Sequence, residues 1–237
     1  MPLLRIDKLI SECGIASRKE IKQMIKDGRV AIDGVTVSAP EQKLDPDVSR
    51  VSVDGEELNY AKYRYYMLNK PAGILSATDD GKQKTVLDLV TPEMRKMGLF
   101  PVGRLDKDTT GLLLLTNDGD FAHWIISPKS EIVKTYRAET EGAVDETDVE
   151  AFKNGITLGD RTKCLPAELV PLDEVACLVK VMEGKYHQVK RMLASRGKPV
   201  TKLERLSIGS VELDISLKTG DFRALTDDEL CRLMKQK

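Results

Sequence analysis

The run Gly103-Arg104-Leu105-Asp106-Lys107-Asp108-Thr109-Thr110-Gly111, continued by Leu112-Leu113-Leu114-Leu115-Thr116-Asn117-Asp118-Gly119, constrains this chain more than any other segment. The four leucines read as a buried strand, and the stretch before them sets an aspartate between an apolar approach and a glycine-bounded turn. An unpaired charge beside such apolar sequence is costly. Asp106 therefore needs a partner, and Arg104 stands two residues earlier. An aspartate held by an arginine at the edge of a core is presented for chemistry rather than for solvation. Such a carboxylate can be a nucleophile, a general base or a metal ligand; the plain alternative is a turn cap paired with Arg104.

The elements around this run alternate without a regular βαβ repeat. The residues at 63–68, 99–105, 112–116, 135–140, 165–170 and 176–182 read as strands. A turn with Pro and Gly, Asn69-Lys70-Pro71-Ala72-Gly73, closes the first of them. Helices are expected from Thr85, over 118–127, over 145–153, over 187–196 with Gly197 as the stop, and over 226–234. This order argues for an α+β chain with a mixed, mainly antiparallel sheet flanked by helices, not for a doubly wound fold.

The first sixty residues read as a separate small module. A helix is expected around Ile6, Leu9 and Ile10 with Gly14 as its stop. Ser17 with Glu20 three residues on is a capping box for a second helix, whose apolar face is Ile21, Met24 and Ile25. Residues 30–37 form a hairpin around Asp33-Gly34, residues 51–55 add a strand and turn, and 56–62 read as a polar linker. The expected domains are therefore 1–59 and 60–237.

Composition narrows the function classes. The net charge is −1, but residues 1–30 carry seven Lys and Arg against four Asp and Glu, and residues 182–206 carry seven against two. Two basic islands in a neutral chain make a one-sided footprint suited to nucleic acid. No apolar run approaches the roughly 20 residues that span a bilayer. The N-terminal stretch Met1-Pro2-Leu3-Leu4-Arg5-Ile6-Asp7 lacks the architecture of a leader, so cytoplasmic residence is expected. Cys13, Cys164, Cys177 and Cys231 are scattered, and neither His123 nor His187 lies near them, so reduced, mostly buried thiols are expected and no metal site. With no heptad and no large apolar stripe, a monomer is expected.

The 103–119 run resembles the catalytic loop of the bacterial ribosomal RNA pseudouridine synthases of the RsuA family, down to the Thr-Thr-Gly and the leucines. The helix–helix–hairpin at 3–50 resembles the S4 RNA-binding domain. That second resemblance implies phosphate contacts from Arg5, Lys8, Ser17, Arg18, Lys22 and Arg29. The first implies a pseudouridine synthase fold with Asp106 as the essential carboxylate. It implies that Tyr136, in Lys134-Thr135-Tyr136, stacks on the target base and assists proton removal. It makes Lys190, in Glu183-Gly184-Lys185-Tyr186-His187-Gln188-Val189-Lys190-Arg191, the cation that pairs with Asp106. Arg104 would fill the space left by the flipped base or clamp a phosphate, and His187, Gln188 and Arg191 would contact RNA. The Tyr186-His187 dipeptide is similar to the small-subunit branch, so 16S rRNA, free or in an assembling ribonucleoprotein, is the expected partner. The implied reaction needs no cofactor or metal.

Two other classes fit parts of the chain. Asp106-Lys107-Asp108-Thr109-Thr110 matches the short Asp-x-Asp-x-Thr pattern of haloacid-dehalogenase-type phosphatases. Gly103-Arg104 interrupts the strand that family needs, and a distant acidic pair and alternating βα pattern are missing. A non-catalytic rRNA-binding assembly factor would also use the S4-like module, but a carboxylate in a phosphate-facing cleft opposes binding. Action on 23S rather than 16S rRNA is the alternative within the enzyme class.

Overall fold

A computed structural model describes residues 3–234. Met1 and Pro2, part of the stretch read against a leader, lie outside the described residues, as do 235–237. The chain divides into two compact units, Met1–Arg64 with Val90–Leu99, and Tyr65–Leu89 with Phe100–Lys237. The division falls a few residues beyond the expected 59/60 boundary, because Leu58 and Tyr60 pack on the first core and the Tyr60 hydroxyl donates to Glu12 Oε2 at 2.7 Å, and it departs from the expected 60–237 domain by grouping Val90–Leu99 with the first unit.

In the first unit, helices Ile6–Glu12 and Arg18–Lys26 bury Ile6, Leu9, Ile10, Ile21, Met24 and Ile25 against Val30, Val37, Val51 and Val53. Strands Val30–Ile32 and Val35–Thr36 pair around a turn whose central residues Asp33 and Gly34 both have positive φ, the geometry that matches strand twist. Asp54 and Gly55 repeat that turn, so Glu56–Glu57 pairs with Ser52 and Val53 as an edge strand. This corrects the expected linker: the turn folds the chain back before any linker can begin.

The capping box at Ser17 is formed. Ser17 Oγ accepts from Glu20 N at 3.4 Å, and Glu20 Oε2 accepts from Ser17 N at 2.7 Å. Ser17→Ala should therefore lower stability by about 1 kcal/mol, read as a shift in the urea midpoint. RNA affinity should not change; a loss of affinity at unchanged stability would mean that the hydroxyl serves RNA and not the helix.

The second unit is built on a sheet of nine strands among the described residues. Its main order is Glu168–Pro171, Ala176–Val181, Lys134–Thr140, Val200–Ile208, Thr110–Thr116, Tyr65–Lys70 and Phe222–Ala224. Every pairing is antiparallel except that of Val200–Ile208 with Thr110–Thr116. Successive side chains on a strand face opposite sides. All four leucines at 112–115 are nonetheless at most 1% exposed, so this strand is covered on both faces. Leu112 and Leu114 pack with Phe121 and Ile125 of the helix Gly119–Ile126, which Asp118 caps by accepting from Asp120 N and Phe121 N at 3.1 Å. A second core gathers Ala138, Phe152, Val179, Met192, Leu193 and Leu203, and so carries helices Glu146–Asn154 and Gln188–Ser195.

Three expectations change. The approach to Asp106 is a strand only at Phe100–Pro101, after which the chain turns. The run expected to end at 68 continues to Lys70. Val200–Ile208, at the centre of the sheet, was not expected, because the buried Arg205 breaks its alternation of apolar and polar residues. Gly111 makes the parallel contact possible. It sits at φ +95°, and a Cβ there would lie 2.3 Å from the Arg205 carbonyl oxygen.

Candidate active site

The Asp106 loop leaves Gly103 and enters the strand at Thr110. Leu105 anchors it: Leu105 N donates to Ser76 Oγ at 3.0 Å, and Ser76 Oγ donates to Leu105 O at 2.9 Å. The neighbouring Asp106 carboxylate is thereby left partly exposed. Lys190 Nζ lies 3.2 Å from its Oδ2, and His187 Nε2 lies 3.5 Å from its Oδ1. Lys190 also reaches Asp108 Oδ1 at 2.5 Å, and this hydrogen bond holds the Asp108 carboxyl below the usual carboxylate range.

Of the two partners expected for Asp106, Lys190 is found at the carboxylate and Arg104 is not. Among the described residues Arg104 makes no ion pair with Asp106; its side chain is exposed and lines the same cleft. Leu105, buried between the two, separates them, and a lysine from a distant helix takes the carboxylate instead.

Lys70 is the functional residue that the sequence concealed. It is fully buried, and its ammonium donates to the carbonyls of Pro71 at 3.0 Å, Asp106 and Lys107 at 3.2 Å, and Thr109 at 2.9 Å. It thus ties the Asp106 loop from beneath. Burial pushes its pKa down to about 8, against the pull of Asp108 and Asp106. The Asn-Lys-Pro-Ala-Gly stretch reads as turn chemistry; the available signal was a lysine two residues past the apolar run that ends at Leu68.

Tyr136 lies on Lys134–Thr140 and lines the cleft with Asp106, Thr109, Val181 and Leu203. Directly opposite it on the next strand, Arg205 is 5% exposed. Arg205 Nε donates to Leu112 O at 2.7 Å, Nη1 donates to the Tyr136 hydroxyl at 3.4 Å, and Cζ stands 5.9 Å from the ring centroid. The phenol is therefore held from below. Arg205 Nη2, Lys134 Nζ and Thr109 Oγ1 are buried without a hydrogen-bond partner among the described residues. Burial, followed by repulsion from Arg205, pushes Lys134 down to about 8.

The other expected contacts divide. Gln188 is buried and internal: its Oε1 accepts from Lys185 N at 2.9 Å and its Nε2 donates to Glu183 Oε1 at 3.0 Å. It shapes the turn before the helix and does not face outward. Arg191 pairs with Asp160 at 2.6 Å. In the first unit, Arg5, Lys8, Arg18 and Lys22 share one depression with Lys19 and Asp7, and Arg5 forks onto Asp7 at 2.8 and 3.0 Å. The Ser17 hydroxyl is engaged in its cap, and Arg29 pairs with Asp54 at 2.6 and 2.7 Å in a separate, acidic depression. Those two are not part of the basic cluster.

All four cysteines are free thiols, with Cys164 and Cys177 buried, Cys13 partly so and Cys231 exposed.

Comparison with known proteins accords with this arrangement. Residues 64–195 match the RNA pseudouridylate synthase family, and residues 4–48 match the S4 domain. A Bacillus subtilis protein called an uncharacterized RNA pseudouridine synthase is 44% identical over 96% of this chain and 97% of its own. Ribosomal small subunit pseudouridine synthase A of Escherichia coli K12 is 38% identical over 98% of this chain and all of its own, and that of Vibrio cholerae is 40% identical with the same coverage. A crystal structure of a pseudouridylate synthase superposes with a TM-score of 0.69 at 37% identity, covering 97% of this chain and 99% of that one. The cleft around Asp106 thus sits in the synthase part of the chain, and the protein belongs to the RNA pseudouridine synthase family, in the form that also carries an S4 domain.

Proposed function

We propose that the protein isomerises one specific uridine of 16S rRNA to pseudouridine, with Asp106 as its essential carboxylate. The observation that carries this reading is a partly exposed aspartate, paired with Lys190, in a cleft walled by the Tyr136 ring. In the reaction the glycosidic C–N bond breaks, the uracil turns, and its C5 bonds to the same ribose carbon. The C5 proton leaves and N1 regains one, so nothing is oxidised or hydrolysed. Asp106 attacks the sugar or the base, or takes a proton from the sugar, while Lys190, 3.2 Å away, orients it. Tyr136 offers the base a flat face and a hydroxyl for proton exchange. Arg104, exposed at the cleft, stands where it can fill the vacated stack or clamp a phosphate.

The small-subunit assignment rests on the names of the full-length relatives and on the Tyr186-His187 pair. The S4 part, with its Arg5, Lys8, Arg18 and Lys22 cluster, docks on RNA phosphates, so affinity falls steeply with salt. Tritium release from transcripts labelled with 5-³H-uridine tests the substrate, using 16S and 23S RNA each with and without ribosomal proteins. Release from 16S material alone is expected. Release from 23S alone would keep the chemistry and overturn the substrate, and tight binding with no release would make the protein an assembly factor.

A further inference from the structure

The turn before the helix Gln188–Ser195 carries an aromatic pair that the reaction as described does not use. The Tyr186 and His187 rings are stacked, with centroids 3.9 Å apart and an interplanar angle of 17°. His187 holds a left-handed backbone, φ 47° and ψ 36°, which a residue with a Cβ adopts only when its surroundings impose it. The surroundings here do so: Lys185 N donates to Gln188 Oε1, Lys185 pairs with Glu183 at 2.8 Å, and Arg191 Nη1 donates to Tyr186 O at 3.4 Å. The inner ring, His187, stands 3.5 Å from the Asp106 carboxylate. The outer ring, Tyr186, is 76% exposed.

A rigid aromatic stack that begins at the catalytic carboxylate and ends in solvent has the form of a nucleobase platform. Aromatic faces bind unstacked bases of single-stranded RNA, and cations beside them hold the phosphates. We propose that Tyr186 stacks on an unpaired base next to the target uridine, so that His187 and Tyr186 extend the substrate strand outward from Asp106. The proposal rests on the RNA-modifying reading of the Asp106 cleft and adds to it the binding site for a flanking nucleotide. Since His187 lies between Tyr186 and Asp106, the base on Tyr186 is not the one that reacts. Tyr186 acts through the position of the strand and not on the reacting atoms.

The test uses the full chain and a single-stranded oligouridylate decamer, with 5-bromouridine as a photo-crosslinking probe and an abasic decamer as its control. Irradiation should crosslink the bromouridine to Tyr186, located by mass spectrometry of the peptides. Tyr186→Ala should weaken binding of the intact decamer by roughly 5- to 150-fold, the range for loss of a base-stacking aromatic. It should leave the abasic decamer unaffected, and Tyr186→Phe should restore binding of the intact one. Equal weakening of both decamers would make Tyr186 a backbone contact and overturn the proposal. So would unchanged binding, or crosslinks confined to other residues, which would leave the exposed ring to a protein partner. The reading of the cleft fails separately: crosslinking at Tyr186 without tritium release from any rRNA keeps the platform and removes the enzyme, while tritium release without that crosslink does the reverse.

Discussion

Asp106→Asn is expected to cut tritium release by ~10³-fold or more while RNA binding is kept; one positioned carboxylate in acid–base or covalent work is worth about that much. Asparagine has the same shape but neither the charge nor the basicity that any of the three routes requires. The fold should survive, because Lys190 keeps its bond to Asp108 at 2.5 Å and the loop keeps its anchors at Ser76 and Lys70. Affinity for RNA should be unchanged or slightly higher, since a negative charge facing phosphates has been removed. Single-turnover tritium release, together with a binding isotherm for the same transcript, checks both halves. Release at the wild-type rate would remove Asp106 from the chemistry.

Lys70→Met is expected to cost roughly 10²-fold in activity, the scale of a small misplacement of a reacting group, with little net change in stability. Two effects on stability oppose each other. Methionine relieves the burial of a cation whose pKa is pushed down to about 8 from an unperturbed value of roughly 10.4, a difference of about 3 kcal/mol. It also strips a donor from the carbonyls of Pro71 and Thr109, at ~1–3 kcal/mol for each buried group. The carbonyls of Asp106 and Lys107 suffer less, since they also accept from Thr109 N and Gly73 N. The course of the loop is not compensated, and Asp106 moves with it.

Proton linkage supplies a second readout for Lys70. The unfolded chain keeps this proton up to roughly 10.4, whereas the folded chain releases it near 8. Between those values the unfolded state binds more protons, so stability rises with pH through that window. Lys70→Met should flatten part of the rise, the remainder belonging to Lys134, which is pushed to about 8 in the same way. Wild-type activity should fall as pH climbs past about 8, because the neutral amine has one donor fewer for the loop. Urea midpoints and initial rates from pH 7 to 10 check the two signs. An alkaline decline unchanged in Lys70→Met would assign it to another group.

The residues that carry a local code were legible in the chain. Ser17 with Glu20 and Asp118 before its helix close their hydrogen bonds within a few residues, and Asp33-Gly34 turns the chain so that Ile32 faces Val35, so spacing alone reveals them. The four leucines announce a covered strand because four apolar neighbours in a row leave neither face for solvent, and each is at most 1% exposed. Asp106 was recognised from the run around it, which is contiguous in sequence. Lys70 and Arg205 were not visible in this way. Lysine and arginine read as solvated by default. What makes Lys70 internal is a set of carbonyls 36 to 39 residues away, apart from that of its neighbour Pro71, and what makes Arg205 internal is a carbonyl 93 residues away.

Most helices, the tight turns, the mainly antiparallel character of the sheet and the family resemblance of the run around Asp106 were legible in the chain, because each depends on periodicity or on chemistry between near neighbours; the short helix Pro92–Lys96 was not. Two cations were open to Asp106, Arg104 by nearness along the chain and Lys190 by the family resemblance, and folding selected Lys190. Arg104 is close along the chain but is carried outward past the buried Leu105, whereas Lys190 is 84 residues distant and is brought to 3.2 Å by the packing of its helix. Charge pairing depends on distance through space, and that distance is set by how the strands order themselves in the sheet.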